Sequence, residues 1–464
     1  MIFNPKMIEK KEGSFILPKN ANAVAHPCLD KSVIHEFWHN FTFNASILSL
    51  SHSEELIFRI GNTPKVELEE FDYSINIDSD GVCVYAKSEK ALICGFMTLL
   101  DRIRADDLGE ATVAILDCEV IKDFPTIKNR MVHFCVFPET EIWEIQRFVR
   151  FCGALKYTHV VLEFWGMLKY DCMRELAWQS AFTKEQIKPI IKEANDLGLE
   201  IIPMFNHWGH AAASRVRHGK HVVLDQNLSL QTYFSPDGWC WDIKKQKVRG
   251  LLRRIRNELI ELCGDGGYFH IGCDEAYNFE FTKDNMDMIC DFINEIEEDL
   301  RAQGRRVIAW GDMFLCRRQN YNPNNRYACS APSEEAAQYM LSRLDRNIII
   351  ADWQYDATEA PVETAAVFAN AGFDCLLCPW DRGNKNMRAM ISTAKDQALM
   401  GIMHTTWHTL STGMPFVTCA AVGCFDTFKV LGGTYTAALY RKVMFVDGDY
   451  IRAGWSKKQI DCIC

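Results

Sequence analysis

Tyr268-Phe269-His270-Ile271-Gly272-Cys273-Asp274-Glu275 is a short apolar run of strand character that stops in two adjacent carboxylates. Neighbouring side chains on a strand point to opposite faces, so Asp274 and Glu275 can share one pocket only where the chain leaves the sheet. Gly272 just before them permits close approach of backbone or ligand. Runs of the same kind recur on both sides, at residues 131–137, 159–165, 200–205, 306–310, 348–353, 374–379 and 401–407. Between them lie segments whose apolar residues repeat at three and four, at 141–155, 184–197, 248–263, 285–303, 334–344, 363–371 and 386–399, which is helix periodicity. With 268–273 this makes eight strands with helical crossovers, and the fold class is α/β, a (β/α)8 TIM barrel.

Such barrels carry their chemistry at the C-terminal strand ends. Those ends hold Cys135 to Pro138, Trp165, Asn206 to His210, Asp274-Glu275, Trp310-Gly311-Asp312, Asp352-Trp353, Trp380-Asp381 and Trp407-His408. Acidic and aromatic residues recur where a sugar-binding mouth would lie. A doubly wound open sheet is the alternative topology, but no glycine-rich phosphate fingerprint follows any strand.

The first part of the chain reads differently. Residues 73–77 alternate in period two, Ser79-Asp80-Gly81 is a turn signal, 82–85 resumes the strand, and 91–103 is helix-like. A small α+β domain over residues 1–122 therefore precedes the barrel over 123–464. The segment 117–130 joins them, with Phe124-Pro125 favouring extended backbone.

Composition narrows the partners. Hydrophobic residues make up 48% and charged residues 24% of 464, ordinary values for a folded chain. A net charge of -10 gives no basic footprint for nucleic acid, and the arginine-rich stretch 249–256 has the spacing of a solvated helix face. No continuous apolar segment of about 18 residues marks a membrane span, and the N-terminal residues lack the apolar run of a signal peptide. The 19 cysteines are scattered and mostly sit in apolar surroundings, which points to buried thiols in a reducing compartment, the cytoplasm, rather than a disulfide framework. Cys462-Ile463-Cys464 is a weak metal signal, and Asn40, Asn44 and Asn227 match the glycosylation pattern by chance spacing. No cofactor and no metal are expected.

Taken alone, an Asp-Glu pair after a strand better suits a helix start facing water. In its surroundings the run Tyr268 to Glu275 resembles the signature of family 20 glycoside hydrolases, the β-N-acetylhexosaminidases, whose usual form is His-x-Gly-Gly-Asp-Glu; here Cys273 stands for the second glycine. The similarity extends to the small N-terminal domain, to Asp123-Phe124-Pro125, to Arg130 opening the first barrel strand and to Gly209-His210 after the third. In character it is closest to the cytosolic hexosaminidase branch.

The resemblance implies an exo-acting β-N-acetylhexosaminidase that releases terminal N-acetylglucosamine or N-acetylgalactosamine from an oligosaccharide or glycoconjugate. In this class the sugar's 2-acetamido oxygen is the nucleophile. Glu275 becomes the acid/base, and Asp274 orients the acetamido group. Trp310, Trp353 and Trp407 are implied as aromatic walls, Arg130 as a hydroxyl ligand and His210 as a pocket residue; Asp312, Glu163, Trp380 and Asp381 are candidate replacements for family groups absent from this chain. For each tryptophan core packing is the competing role, for Arg130 a structural ion pair, and for His210 a satisfied loop histidine.

Three departures bear on specificity. The second strand lacks the family's Asp-rich run, the seventh lacks its tyrosine, and Trp407-His408-Thr409 has threonine near the position of an outer glutamate. A stretch of about forty residues, 207–244, follows the third strand, long for a barrel connection; its Trp239-Cys240-Trp241-Asp242 suits either a pocket cover touching the leaving sugar or a packing staple. Two other functions compete: an amino-sugar-binding barrel with weak catalysis, and a glycosidase for another sugar with Glu163 or Asp312 as protein nucleophile.

Overall fold

The computed structural model describes the chain except residues 1, 44–45, 51–55, 62–66, 109–110, 213–222, 382, 408–412, 426–435, 437–438, 441 and 444–464. The readings of Asn44, His408-Thr409 and the terminal cysteines fall outside the described residues.

Eight strands build the N-terminal sheet: β1 (Met7–Ile16), β2 (Asn20–Ala25), β3 (Ile47–Leu50), β4 (Leu56–Ile60), β5 (Tyr73–Asp78), β6 (Gly81–Ala86), β7 (Arg104–Leu108) and β8 (Ala111–Asp123). Their order is β1-β8-β5-β6-β4-β2-β3, with β7 on β8. The helix Glu89–Arg102, capped by the Ser88 hydroxyl, lays Leu92, Phe96, Leu99 and Leu100 on the sheet, and Trp38 of the helix Ser32–Phe41 packs on Phe96 at 6.4 Å between rings. The expected hairpin and second helix are present. Strands β1 to β4 and the first helix went unanticipated, although Asn20–Ala25 alternates and Val33, Ile34, Phe37, Trp38 and Phe41 recur at helical spacing. The connector is also shorter than the stretch 117–130, since β8 runs to Asp123.

The barrel strands are β9 (Asn129–Cys135), β10 (His159–Glu163), β11 (Glu200–Met204), β12 (Tyr268–His270), β13 (Arg306–Trp310), β14 (Ile349–Asp352), β15 (Asp374–Leu377) and β16 (Gly401–His404). All pair in parallel and β16 closes on β9. The chain is therefore a closed (β/α)8 barrel behind an α+β domain. Alternation sorts the side chains: Met131, Val161, Ile202, Ile308, Ile349, Leu376 and Met403 fill the interior, whereas Val132, Val160, Ile350 and Ile402 face the helices. All seven expected crossover helices form. An eighth, Met414–Gly423, is apolar on all sides and so shows no amphipathic period.

The arginine-rich helix face is not simply solvated. On the helix Gln246–Cys263, Arg249 pairs with Glu295 and both Arg253 and Arg256 with Asp299 of the next helix, and Arg256 is buried. The run is a seam between neighbouring crossovers.

Polar groups also stitch the two domains at the barrel base. Lys156 Nζ donates to Tyr73 Oη at 2.9 Å and Thr98 Oγ1 at 3.0 Å, lies 3.7 Å from Asp123, and faces the Phe3 ring at 3.6 Å. Burial pulls its ammonium below the usual lysine range, and Asp123 opposes that.

Candidate active site

β12 ends at His270, so 271–275 is free to curl over the mouth. Gly272 (φ +67°), Cys273 (+76°) and Glu275 (+49°) adopt left-handed backbone, as do Trp165 and His210 on neighbouring strand-end loops. Non-glycine residues enter that region at a cost of about 1–3 kcal/mol each, and here tight approach enforces it. A Cβ on Gly272 would lie 1.7 Å from Asn206 Oδ1, and one on Gly209 would lie 1.9 Å from the Asp274 carbonyl oxygen. The loops after β11 and β12 are thus wedged together. The turn brings the two carboxylates to one side: His210 Nε2 is 2.9 Å from Glu275 Oε2 and 3.5 Å from Asp274 Oδ2.

The Glu275 backbone is held at both ends. Its N–H donates to Asp312 Oδ2 at 3.1 Å, and its carbonyl accepts from the Trp239 indole at 2.6 Å and from the Tyr277 N–H at 2.8 Å. Asp312 also accepts from Ser330 Oγ at 3.0 Å and, on Oδ1, from the Trp353 indole at 3.1 Å. Burial, then the Asp274 and Glu275 charges, push its carboxyl up to about 7. Both oxygens accept from protein donors and the residue is 2% exposed, so Asp312 anchors the Glu275 backbone and the Trp353 indole from behind.

The aromatic residues form a half ring. Trp353 and Trp407 are half-buried and cap the interior apolar column. Tyr355 stands between them: its ring is 5.1 Å from Trp353 and 5.1 Å from Trp380, and its hydroxyl accepts from the Trp407 indole at 2.6 Å. Trp310 is 0% exposed, packed between His270 at 4.4 Å and Trp407 at 5.7 Å, and supplies the floor. Tyr355 was missed. The family tyrosine was sought after the seventh strand, and this chain carries one after the sixth. The available signal was period two: in Asp352-Trp353-Gln354-Tyr355, Trp353 and Tyr355 share a side. Asp352 and Gln354 point the other way, where Asp352 accepts from Gln354 and from Thr364 Oγ1.

Two further placements differ from expectation. Arg130 lies near the N-terminal end of β9, away from the mouth. Its Nε donates to the Lys156 carbonyl at 2.8 Å and its Nη1 to the Ile127 and Lys128 carbonyls at 3.1 and 2.8 Å. Adjacent Met131 takes the interior position, so alternation turns Arg130 outward towards the domain junction. Glu163 does reach the C-terminal end of β10, but it is fully buried, 3.0 Å from His133 Nε2 and accepting from Asn206 Nδ2 at 3.0 Å. The long loop divides: Trp241 is core, donating to the Asn206 carbonyl at 2.8 Å and packed on Phe234, while Trp239 lies against His210 at 4.6 Å.

Solved structures share this fold. The N-acetyl-β-hexosaminidase of Streptomyces plicatus superposes with a TM-score of 0.67 at 16% identity, covering 95% of this chain and 94% of that one. An exo-β-N-acetylglucosaminidase from Vibrio harveyi superposes at 0.68 with 15% identity, covering 98% and 78%. Among curated sequences, a β-hexosaminidase of Porphyromonas gingivalis is 23% identical over 293 residues, and a lacto-N-biosidase of Bifidobacterium bifidum 22% over 283. These alignments take in 55% and 56% of the chain but only 37% and 24% of those relatives' lengths. Residues 162–408, more than half of the chain and including both carboxylates, match the catalytic domain of glycosyl hydrolase family 20, and the chain belongs to that family.

Proposed function

We propose that this protein is an exo-acting, retaining β-N-acetylhexosaminidase whose substrate supplies the nucleophile. The observation that carries the reading is the pair Asp274-Glu275, bridged by His210 at the barrel mouth beside Tyr355 and the tryptophan half ring. Glu275 donates its proton to the glycosidic oxygen as the bond to C1 breaks. The acetamido carbonyl oxygen attacks C1 from the opposite face, giving an oxazolinium ion. Asp274 accepts the acetamido N–H and balances the positive charge, the Tyr355 hydroxyl donates to the acetamido oxygen, and Trp353 and Trp407 enclose its methyl. Water then attacks C1, returning its proton to Glu275 and restoring the β configuration. Terminal N-acetylglucosamine or N-acetylgalactosamine on a glycoconjugate is the substrate class.

Asp312 and Glu163, the two candidate protein nucleophiles, are buried and held by protein groups, which supports the substrate-assisted reading over theirs. Buried free thiols such as Cys152, Cys263, Cys290 and Cys375 favour a reducing compartment, hence the cytoplasm. The test is a panel of aryl glycosides differing only at C2 and C4. Turnover of the 2-acetamido β-glycosides with inhibition by a cyclic thiazoline is expected. Trapping of a covalent adduct by a 2-fluoro sugar, without thiazoline inhibition, would replace this mechanism with a protein-nucleophile one, and no turnover on either epimer would leave a binding protein.

A further inference from the structure

The imidazole of His210 contacts the Glu275 carboxyl, Trp239 lies on His210 at 4.6 Å between rings, and Tyr277 lies on the outer side of Trp239 at 5.5 Å with planes 36° apart. These three rings form one wall leading from the acid to solvent, and Tyr277 at its end is 45% exposed. The wall is fastened at several points. Tyr277 N–H and the Trp239 indole both hold the Glu275 carbonyl, the Asn278 amide donates to Asp237, Asp237 accepts the Trp239 N–H at 3.0 Å, and Phe279 packs edge-on against Trp208 at 4.7 Å. An exposed tyrosine ring on so constrained a loop keeps its orientation without a ligand, which lowers the entropic cost of binding one.

We propose that Tyr277, backed by Trp239, is the platform on which the leaving-group sugar of a saccharide substrate lies. The inference rests on Glu275 being the acid. The acid must touch the glycosidic oxygen, so the departing residue lies beyond Glu275 on the side away from the acetamido pocket of Asp274, Tyr355 and the tryptophans. The His210, Trp239 and Tyr277 rings lead from Glu275 to the exposed Tyr277. A pyranose presents a face of C–H groups that suits an aromatic face, while its hydroxyls stay in water at the open edge. The ligand class is therefore a β-linked pyranose as aglycone, in place of a peptide or lipid.

The experiment compares N,N′-diacetylchitobiose with methyl β-N-acetylglucosaminide, or their galacto epimers, in the wild type and in Tyr277→Ala, Tyr277→Phe and Tyr277→Trp. The two substrates share the sugar in the acetamido pocket and differ in having a ring on the platform. The ratio of kcat/KM for disaccharide over methyl glycoside should fall about tenfold in Tyr277→Ala, mainly through KM, and be kept by Phe and Trp. An unchanged ratio in Tyr277→Ala overturns the platform, as does a wild type that cleaves the methyl glycoside but not the disaccharide; both leave the hexosaminidase reading standing. A wild type that cleaves neither overturns that reading and the platform with it.

Discussion

At the base of the barrel, Arg130, Lys156, Asp123 and Tyr73 meet in a buried cluster whose donors and acceptors are matched within the protein. At the mouth, His210, Asp274, Glu275, Tyr355 and the tryptophans are the same kinds of residue, yet Glu275 and His210 remain partly exposed and their loops are held in left-handed backbone. The base joins two domains and gains stability by closing its polar groups on one another. The mouth keeps His210, Glu275, Trp353 and Trp407 partly exposed, at a cost in backbone strain. Residue type alone does not separate structure from chemistry here. The separation follows from which end of a strand a residue occupies and how many of its polar atoms are already engaged.

The largest expected effect lies at the mouth. Glu275→Gln should lower kcat by roughly 10³-fold or more while leaving the melting temperature near that of the wild type, since general acid–base groups contribute about 10²–10⁴. Retained activity would remove Glu275 from the chemistry.

The base should respond in the opposite way. Arg130→Met leaves three carbonyl oxygens without their donor, which should cost about 3 kcal/mol, read as a lower denaturation midpoint, with KM unchanged in the folded fraction. Normal stability with a raised KM would return Arg130 to the sugar.

Asp312 sits between the two behaviours: buried and satisfied, but touching the Glu275 backbone. Asp312→Asn should reduce kcat about 100-fold with little change in KM, because a misplaced acid slows the chemical step rather than binding. A raised KM at constant kcat would instead make it a substrate ligand.

Asp352 extends the comparison to pH. Burial pushes its carboxyl up to about 6 against the opposing hydrogen bonds from Thr364 and Gln354, so between its unfolded value near 4 and about 6 the folded state holds the extra proton. Stability from this group is therefore lost as pH rises through that window, by about 3 kcal/mol. The difference in melting temperature, Asp352→Asn minus wild type, should grow more positive from pH 4 to 7; a flat difference would show that Asp352 does not titrate there.

The smallest effect is expected from Tyr355→Phe, about tenfold in kcat on an acetamido substrate, from loss of one donor. No change would move the acetamido oxygen elsewhere.

Much of this was legible before any coordinates. Eight apolar runs of strand length with amphipathic segments between them specify a parallel barrel, because every crossover must bury one helical stripe against the sheet. The same pattern names the strand ends, and with them Asp274, Glu275, Trp353 and Trp407. What it leaves open is long-range. Arg130 and Asp312 are polar residues near strand termini, and their sequence neighbours do not reveal that three carbonyls claim one and three donors the other. Tyr355 escaped notice because a hydroxyl can reach one point in a closed barrel from either adjacent strand end.

By itself, then, the sequence determined the barrel, the end of it that carries chemistry and the carboxylate pair, since periodicity and strand-end position are local properties. Only the tertiary structure decided that Glu275 and Asp274 converge on His210, that Tyr355 fills the gap between two tryptophans, and that Trp239 and Tyr277 extend the wall outward. Those relations join segments up to 65 residues apart, and they exist only once the barrel has closed and its loops have been forced against one another.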